Sequence, residues 1–145
     1  MVSTVSAPIR ASRWHLWVVA ILTLLWNGSG AYTIMMAQAG RLTDLDAVEA
    51  SYYAAQPLWF VITTDIALLL PIAAAVALLL RSRIAVWLFA LLLVTFVINN
   101  GYDIAAGTSL VRVDRGWLIT TVLIAVISVL QLVYAWAMKR RAVLQ

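Results

Sequence analysis

Apolar residues fall into four blocks, about Trp14 to Met36, Pro57 to Leu80, Ile84 to Ala106 and Trp117 to Met138, and most of the charge lies between them. Each block has the roughly 20 residues that a helix needs to cross a ~30 Å hydrocarbon layer. A chain crossing lipid must satisfy its own backbone, which makes each block a helix. The pattern therefore predicts an all-α fold, a four-helix transmembrane bundle, as one integral membrane domain over residues 1–145. The segment Arg81 to Arg83 between the second and third blocks is long enough only to join antiparallel neighbours. A cleavable leader is the competing reading of the first block, with Arg10 and Arg13 before it and Ala37 to Ala39 after it. The block is longer than the 7–15 residues of a leader's apolar segment, so it reads as a span.

Between the first two blocks, Leu42, Leu45, Val48 and Tyr52 recur at helical intervals, and Thr43 and Asp46 stand at capping-box spacing. This predicts a short amphipathic helix on the outer surface. It is either an anchor for Tyr52 and Tyr53 among lipid head groups or a lid over the bundle mouth. Basic residues set the orientation. Arg10, Arg13, Arg81, Arg83, Lys139, Arg140 and Arg141 lie on one side, and only Arg41, Arg112 and Arg115 on the other. Basic residues favour the cytoplasmic side, which puts both termini in the cytoplasm. Trp14, Trp17, Trp87 and Trp136 near the inner ends, and Trp59 and Trp117 near the outer ends, form the expected aromatic belts; Trp26 alone sits at membrane depth.

Composition narrows the chemistry. The 145 residues are 65% hydrophobic and 11% charged, far more apolar than a soluble domain of this length, so lipid covers much of the surface. There is no cysteine, which removes thiol redox chemistry and thiolate metal sites. The net charge of +4 resides in the caps between spans, so it reads as membrane topology and not as a nucleic-acid footprint.

A few polar residues interrupt the spans: Trp26 to Tyr32 on the first, Thr63 to Asp65 on the second and Asn99 to Asp103 on the third. At ~1.5 Å per residue, Asn27 and Asp65 lie roughly 12 to 14 Å below the outer ends, Asn99 and Asn100 about 10 Å, and Thr120 and Thr121 of the fourth span about 5 Å. Thr95, Asn99, Tyr102 and Asp103 form one stripe, and Thr23, Asn27 and Ala31 another. Such stripes face protein or water. Gly28, Gly30 and Ala31, and the Ala67, Pro71, Ala75 series, are expected to let helices approach, with a kink at Pro71.

Asp65 has no basic residue within any span to neutralise it. It is either protonated or held by amide and hydroxyl donors in a hydrated pocket. The candidate ligand-binding set is Asp65, Asn27, Tyr32, Asn99, Asn100 and Trp26. The plainer reading is that Asp65, Asn27 and Asn99 bond one another as interhelical glue, worth on average ~0.6 kcal/mol per bond. No catalytic residues, metal ligands or cofactors are expected, since the spans offer no His, Cys or paired acid apart from the shallower Asp103. The chain therefore does not read as an enzyme.

Trp26, Asn27, Gly30, Ala31 and Tyr32, followed by Met36 and Gln38, resemble a first-helix pattern Trp-Asn-x-x-Gly-Ala-aromatic and Met-x-Gln found in a group of small four-span bacterial membrane proteins. Pro57-x-Trp59 and the hinge Leu78 to Phe89 resemble the same group, and the likeness covers spans one to three, roughly half the chain. It implies the fold and a bacterial inner membrane, but no activity. Thr33 stands where the group carries an aspartate, so any role of that acid does not transfer. Similarity to DoxX-like proteins is one of topology. Small multidrug transporters share the span count but keep their acid in the first helix, where this chain has none.

These features lead to an outward-facing polar pocket that binds or transports a polar or cationic small solute, sugar or proton-linked, in a homo-oligomer or larger complex. The alternative is an accessory or assembly subunit of a larger membrane complex.

Overall fold

The computed structural model describes residues 14–106 and 115–144. Arg10, Arg13, Arg112 and Asp114, and the side chains of Arg115 and Trp117, lie outside the described residues. Among the described residues five helices follow in order: α1 Trp14–Gln38, α2 Ala47–Ala55, α3 Leu58–Leu79, α4 Ile84–Ala105 and α5 Arg115–Arg140. Four of them are long and apolar enough to cross a membrane, with α5 qualifying from Leu118. The protein is thus a multi-pass, all-α four-helix bundle, and the span boundaries agree with the hydropathy blocks to within a few residues.

The helices close into a bundle. α3 packs against α1 and α4, and α4 packs against α5, while α1 and α5 make few close backbone contacts and meet through the side-chain pairs His15–Tyr134 and Thr23–Gln131. The bundle is closest-packed in the half that holds the first residues of α1 and the last of α5, called here the terminal half. Leu16 and Ala20 of α1, Ala74, Ala77 and Leu78 of α3, Ala85, Val86 and Phe89 of α4, and Ala135 and Met138 of α5 share one core there. Ala20, Ala74, Ala75 and Ala85 are fully buried, and their small side chains bring the backbones near enough for dispersion to hold helices together in lipid. Gly28 and Gly30 do not serve this purpose: a Cβ at either would enter open space. α3 continues through Pro71, which is buried.

Three helices end in the same turn. Arg41 N–H bonds Met36 C=O and Gly40 N–H bonds Ala37 C=O; Ser82 and Arg81 repeat this on Ala77 and Leu78, and Val143 and Ala142 on Met138 and Lys139. This is the Schellman arrangement, which needs a left-handed residue at its centre. Gly40 takes it at φ 64°, but Arg81 and Ala142 take it at φ 57° and 52° despite their Cβ atoms. The last of these turns folds the tail back, so Leu144 is fully buried and its carbonyl accepts from Arg83 Nε at 3.4 Å. Above the terminal end, Lys139 lies over the Trp87 ring and Arg140 over Trp136, at 5.9 and 4.6 Å.

The amphipathic helix expected between the first two spans is α2, but it starts one turn later than the Thr43 box implied. Asp46 is the N-cap, its side chain accepting from Glu49 N–H at 2.7 Å, whereas Thr43 bonds Asp44. Asp outranks Thr as an N-cap and wins the competition.

Candidate functional site

Away from the terminal half the helices separate around a cavity of about 320 Å³. Every helix contributes to its wall. α1 supplies Trp26, Asn27 and Gly30, α3 Phe60, Thr64 and Pro71, α4 Phe96, Asn99, Asn100 and Asp103, and α5 Thr121 and Ser128. α2 closes the mouth with Tyr52 and Tyr53, and Gln38 and Gln56 flank them. The Tyr52 hydroxyl donates to both carboxylate oxygens of Asp103, at 3.0 Å each, which clasps α2 to α4. Tyr53 packs edge-on against Tyr52 at 5.3 Å. The short helix therefore covers the bundle mouth instead of lying apart from it.

The hydrogen bonds give the cavity a chemical sign. Asn27 donates its amide N–H to Thr23 C=O at 2.8 Å, and Asn100 donates to Phe96 C=O at 2.8 Å. Because both partners are carbonyls, the NH₂ of each amide must face its own helix. Each amide oxygen is left without a protein donor among the described residues. Gln56 Oε1 is buried without a partner, and so is Gln38 Nε2. Pro71 has no N–H, so the Ala67 carbonyl lacks its helical donor, and both residues line the cavity. Together with the Asp103 carboxylate these groups make the wall rich in acceptors, with Gln38 Nε2 as one clear donor.

Asn99 behaves differently. It is 9% exposed, its Oδ1 accepts from Thr63 at 3.2 Å and its Nδ2 donates to Thr64 at 3.1 Å. Its amide is consumed in joining α3 to α4.

Of the six residues proposed from sequence, Trp26, Asn27, Asn99 and Asn100 line the cavity together. Asp65 and Tyr32 are not among its lining residues. Thr63 and Thr64 turn toward Asn99, and Asp65, about 100° further round the helix, points away from α4. It is half-buried, and its Oδ1 is shielded without a hydrogen-bond partner. Tyr32 is 65% exposed on the outside of α1. The acid that does reach the wall is Asp103. Its signal was present in the sequence, since it shares the stripe of Thr95, Asn99 and Tyr102. Tyr52, Gln38 and Gln56 were not legible as site residues, because Tyr52 and Gln56 lie between spans and Gln38 is the last residue of α1. His15 bonds Tyr134 at 2.7 Å across the other end of the bundle. Among the described residues no group of three His, Asp or Glu side chains is placed to hold a metal ion.

No protein-family model, curated protein or solved structure matches the chain.

Proposed function

We propose that the protein binds a small, polar, donor-rich solute, a cation or a polyhydroxyl compound, in the cavity beneath α2, and does so without catalysing a reaction. The single observation that carries this reading is the acceptor-rich wall: the oxygens of Asn27 and Asn100 and Gln56 Oε1, which take no protein donor among the described residues, converge on one space beside the Asp103 carboxylate that Tyr52 engages. A solute whose hydroxyl or ammonium groups donate to these oxygens removes the cost of burying them without a hydrogen bond. The volume is at the small end of ligand pockets, which suits a compound of sugar or organic-ammonium size. Asp103 takes the charge-bearing role that the sequence suggested for Asp65. With the termini in the cytoplasm, as the basic residues favour, the cavity opens outward under its lid in a bacterial inner membrane. Transport follows if the bundle rocks around this site, in one subunit or between copies in a homo-oligomer.

The test is a thermal-shift screen of the purified protein against sugars, polyols and organic ammonium ions, since a ligand of the native state must raise its stability. A hit should lose its effect in an Asn27→Leu, Asn100→Leu double variant whose unliganded melting point is unchanged. Hits that the double variant retains, or no hit at all, would overturn the reading.

One observation favours a second role, as an accessory subunit whose intramembrane polar groups are glue: both ends of the Asn99 amide are already matched by Thr63 and Thr64. That role requires a stoichiometric partner to survive purification in mild detergent.

A further inference from the structure

We propose that a second site, the lateral groove between α1 and α5, seats one acyl chain of an anionic phospholipid, with its phosphate on Arg141 and His15. The groove holds about 880 Å³ and lies where α1 and α5 make few close backbone contacts. Its middle is hydrocarbon: Val19 and Leu22 from α1 face Ile127, Leu130, Val133 and Ala137 from α5. Its charge is confined to one end. Arg141 lines the mouth with His15 and Tyr134, and among the described residues no acidic side chain lines the groove. Arg141 is held there by the turn at Ala142, which is anchored in its turn by the buried Leu144.

The far end is a floor. Gln131 Nε2 donates to Thr23 Oγ1 at 3.4 Å, and Trp26 lies beside them. From His15 to Trp26 the groove runs eleven residues along α1, about 16 Å at 1.5 Å per residue. One leaflet's share of a ~30 Å hydrocarbon core is about 15 Å. The cation therefore sits at head-group level and the groove's end at Trp26 near the bilayer midplane, which is the reach of a single lipid chain.

The two bridges also leave no room for a partner helix to insert between α1 and α5. His15 meets Tyr134 at 2.7 Å and Thr23 meets Gln131 at 3.4 Å across the seam. A helix is 10–12 Å across with its side chains and cannot lie between partners that touch. A hydrocarbon chain is thin enough to lie along the groove beside them.

The experiment is native mass spectrometry of delipidated protein titrated with phosphatidylglycerol or phosphatidylcholine of equal chain length. One tightly retained phosphatidylglycerol is expected, with phosphatidylcholine weaker. Arg141→Gln should weaken retention about fivefold, the contribution of one basic side chain near an anionic surface. Arg140→Gln, which removes the cation stacked on Trp136 outside the groove, should leave retention unchanged. Leu22→Trp or Leu130→Trp, both at exposed positions on the groove wall, should abolish retention by filling the groove while circular dichroism stays helical. Equal losses in Arg140→Gln and Arg141→Gln would reduce the effect to a general basic collar and overturn the site. So would full competition by soluble glycerol phosphate, or retention that survives both tryptophan fillers.

Discussion

Replacing Tyr52 by Phe deletes one hydroxyl and leaves the ring that packs on Tyr53 in place. The hydroxyl is shared between both oxygens of Asp103 at 3.0 Å. A hydrogen bond to a charged group is worth about 1.5–3 kcal/mol. Here Tyr52 is half-buried and one proton serves two oxygens, which brings the value to the bottom of that range or just below it, about 1–2 kcal/mol. The loss falls on the docking of α2 and not on the bundle, because no residue of α2 is buried in the core. A cost of 1–2 kcal/mol multiplies the open population of α2 roughly 5- to 30-fold. Amides that exchange through local opening should accelerate by the same factor. Hydrogen–deuterium exchange followed on peptides covering residues 47–55 is the assay, with residues 85–92 of α4 as the internal reference. Asp103→Asn, which keeps an acceptor but removes the charge, should fall between wild type and Tyr52→Phe. Unchanged exchange over 47–55, or an equal acceleration over 85–92, would show that the clasp does not hold the lid.

Other substitutions test the framework. Ala142→Gly should stabilise by about 0.5–1 kcal/mol, because the left-handed turn costs a non-glycine residue ~1–2 kcal/mol and glycine returns part of that as chain entropy; the thermal midpoint should rise by about 2 °C. Gly28→Ala should also stabilise, by up to about 1 kcal/mol, since the added methyl meets open space and alanine is the better helix former; a fall in the midpoint would reveal a hidden close approach. Asn99→Leu breaks two interhelical bonds at ~0.6 kcal/mol each and should cost about 1–1.5 kcal/mol in a reversible detergent unfolding titration.

The spans were legible because lipid imposes one rule on every residue that faces it: be apolar and helical. The meeting of Asn27, Asn99 and Asn100 was legible for a related reason, since depth is counted in residues along each helix and needs no knowledge of how the helices turn. Rotation is where sequence reading gives out. Asp65 and Thr64 are neighbours in depth and in chain, yet one residue step carries Asp65 off the cavity wall. No stripe of polar partners on α3 fixed that angle, whereas Asp103 had Thr95 and Asn99 to fix its own. The Tyr52 clasp joins residues 51 apart, and the α1–α5 groove is a property of spacing between helices, so neither leaves a periodic trace.

The packing order bears on how the protein is made. α3 and α4, linked by four residues and in broad contact, form a hairpin that already carries much of the alanine-lined interface, and α1 docks on its α3 side. α5 finds its packing surface on α4. A nascent chain can thus assemble three of its spans before the ribosome has finished the fourth, and the cavity acquires its last wall only when α5 arrives.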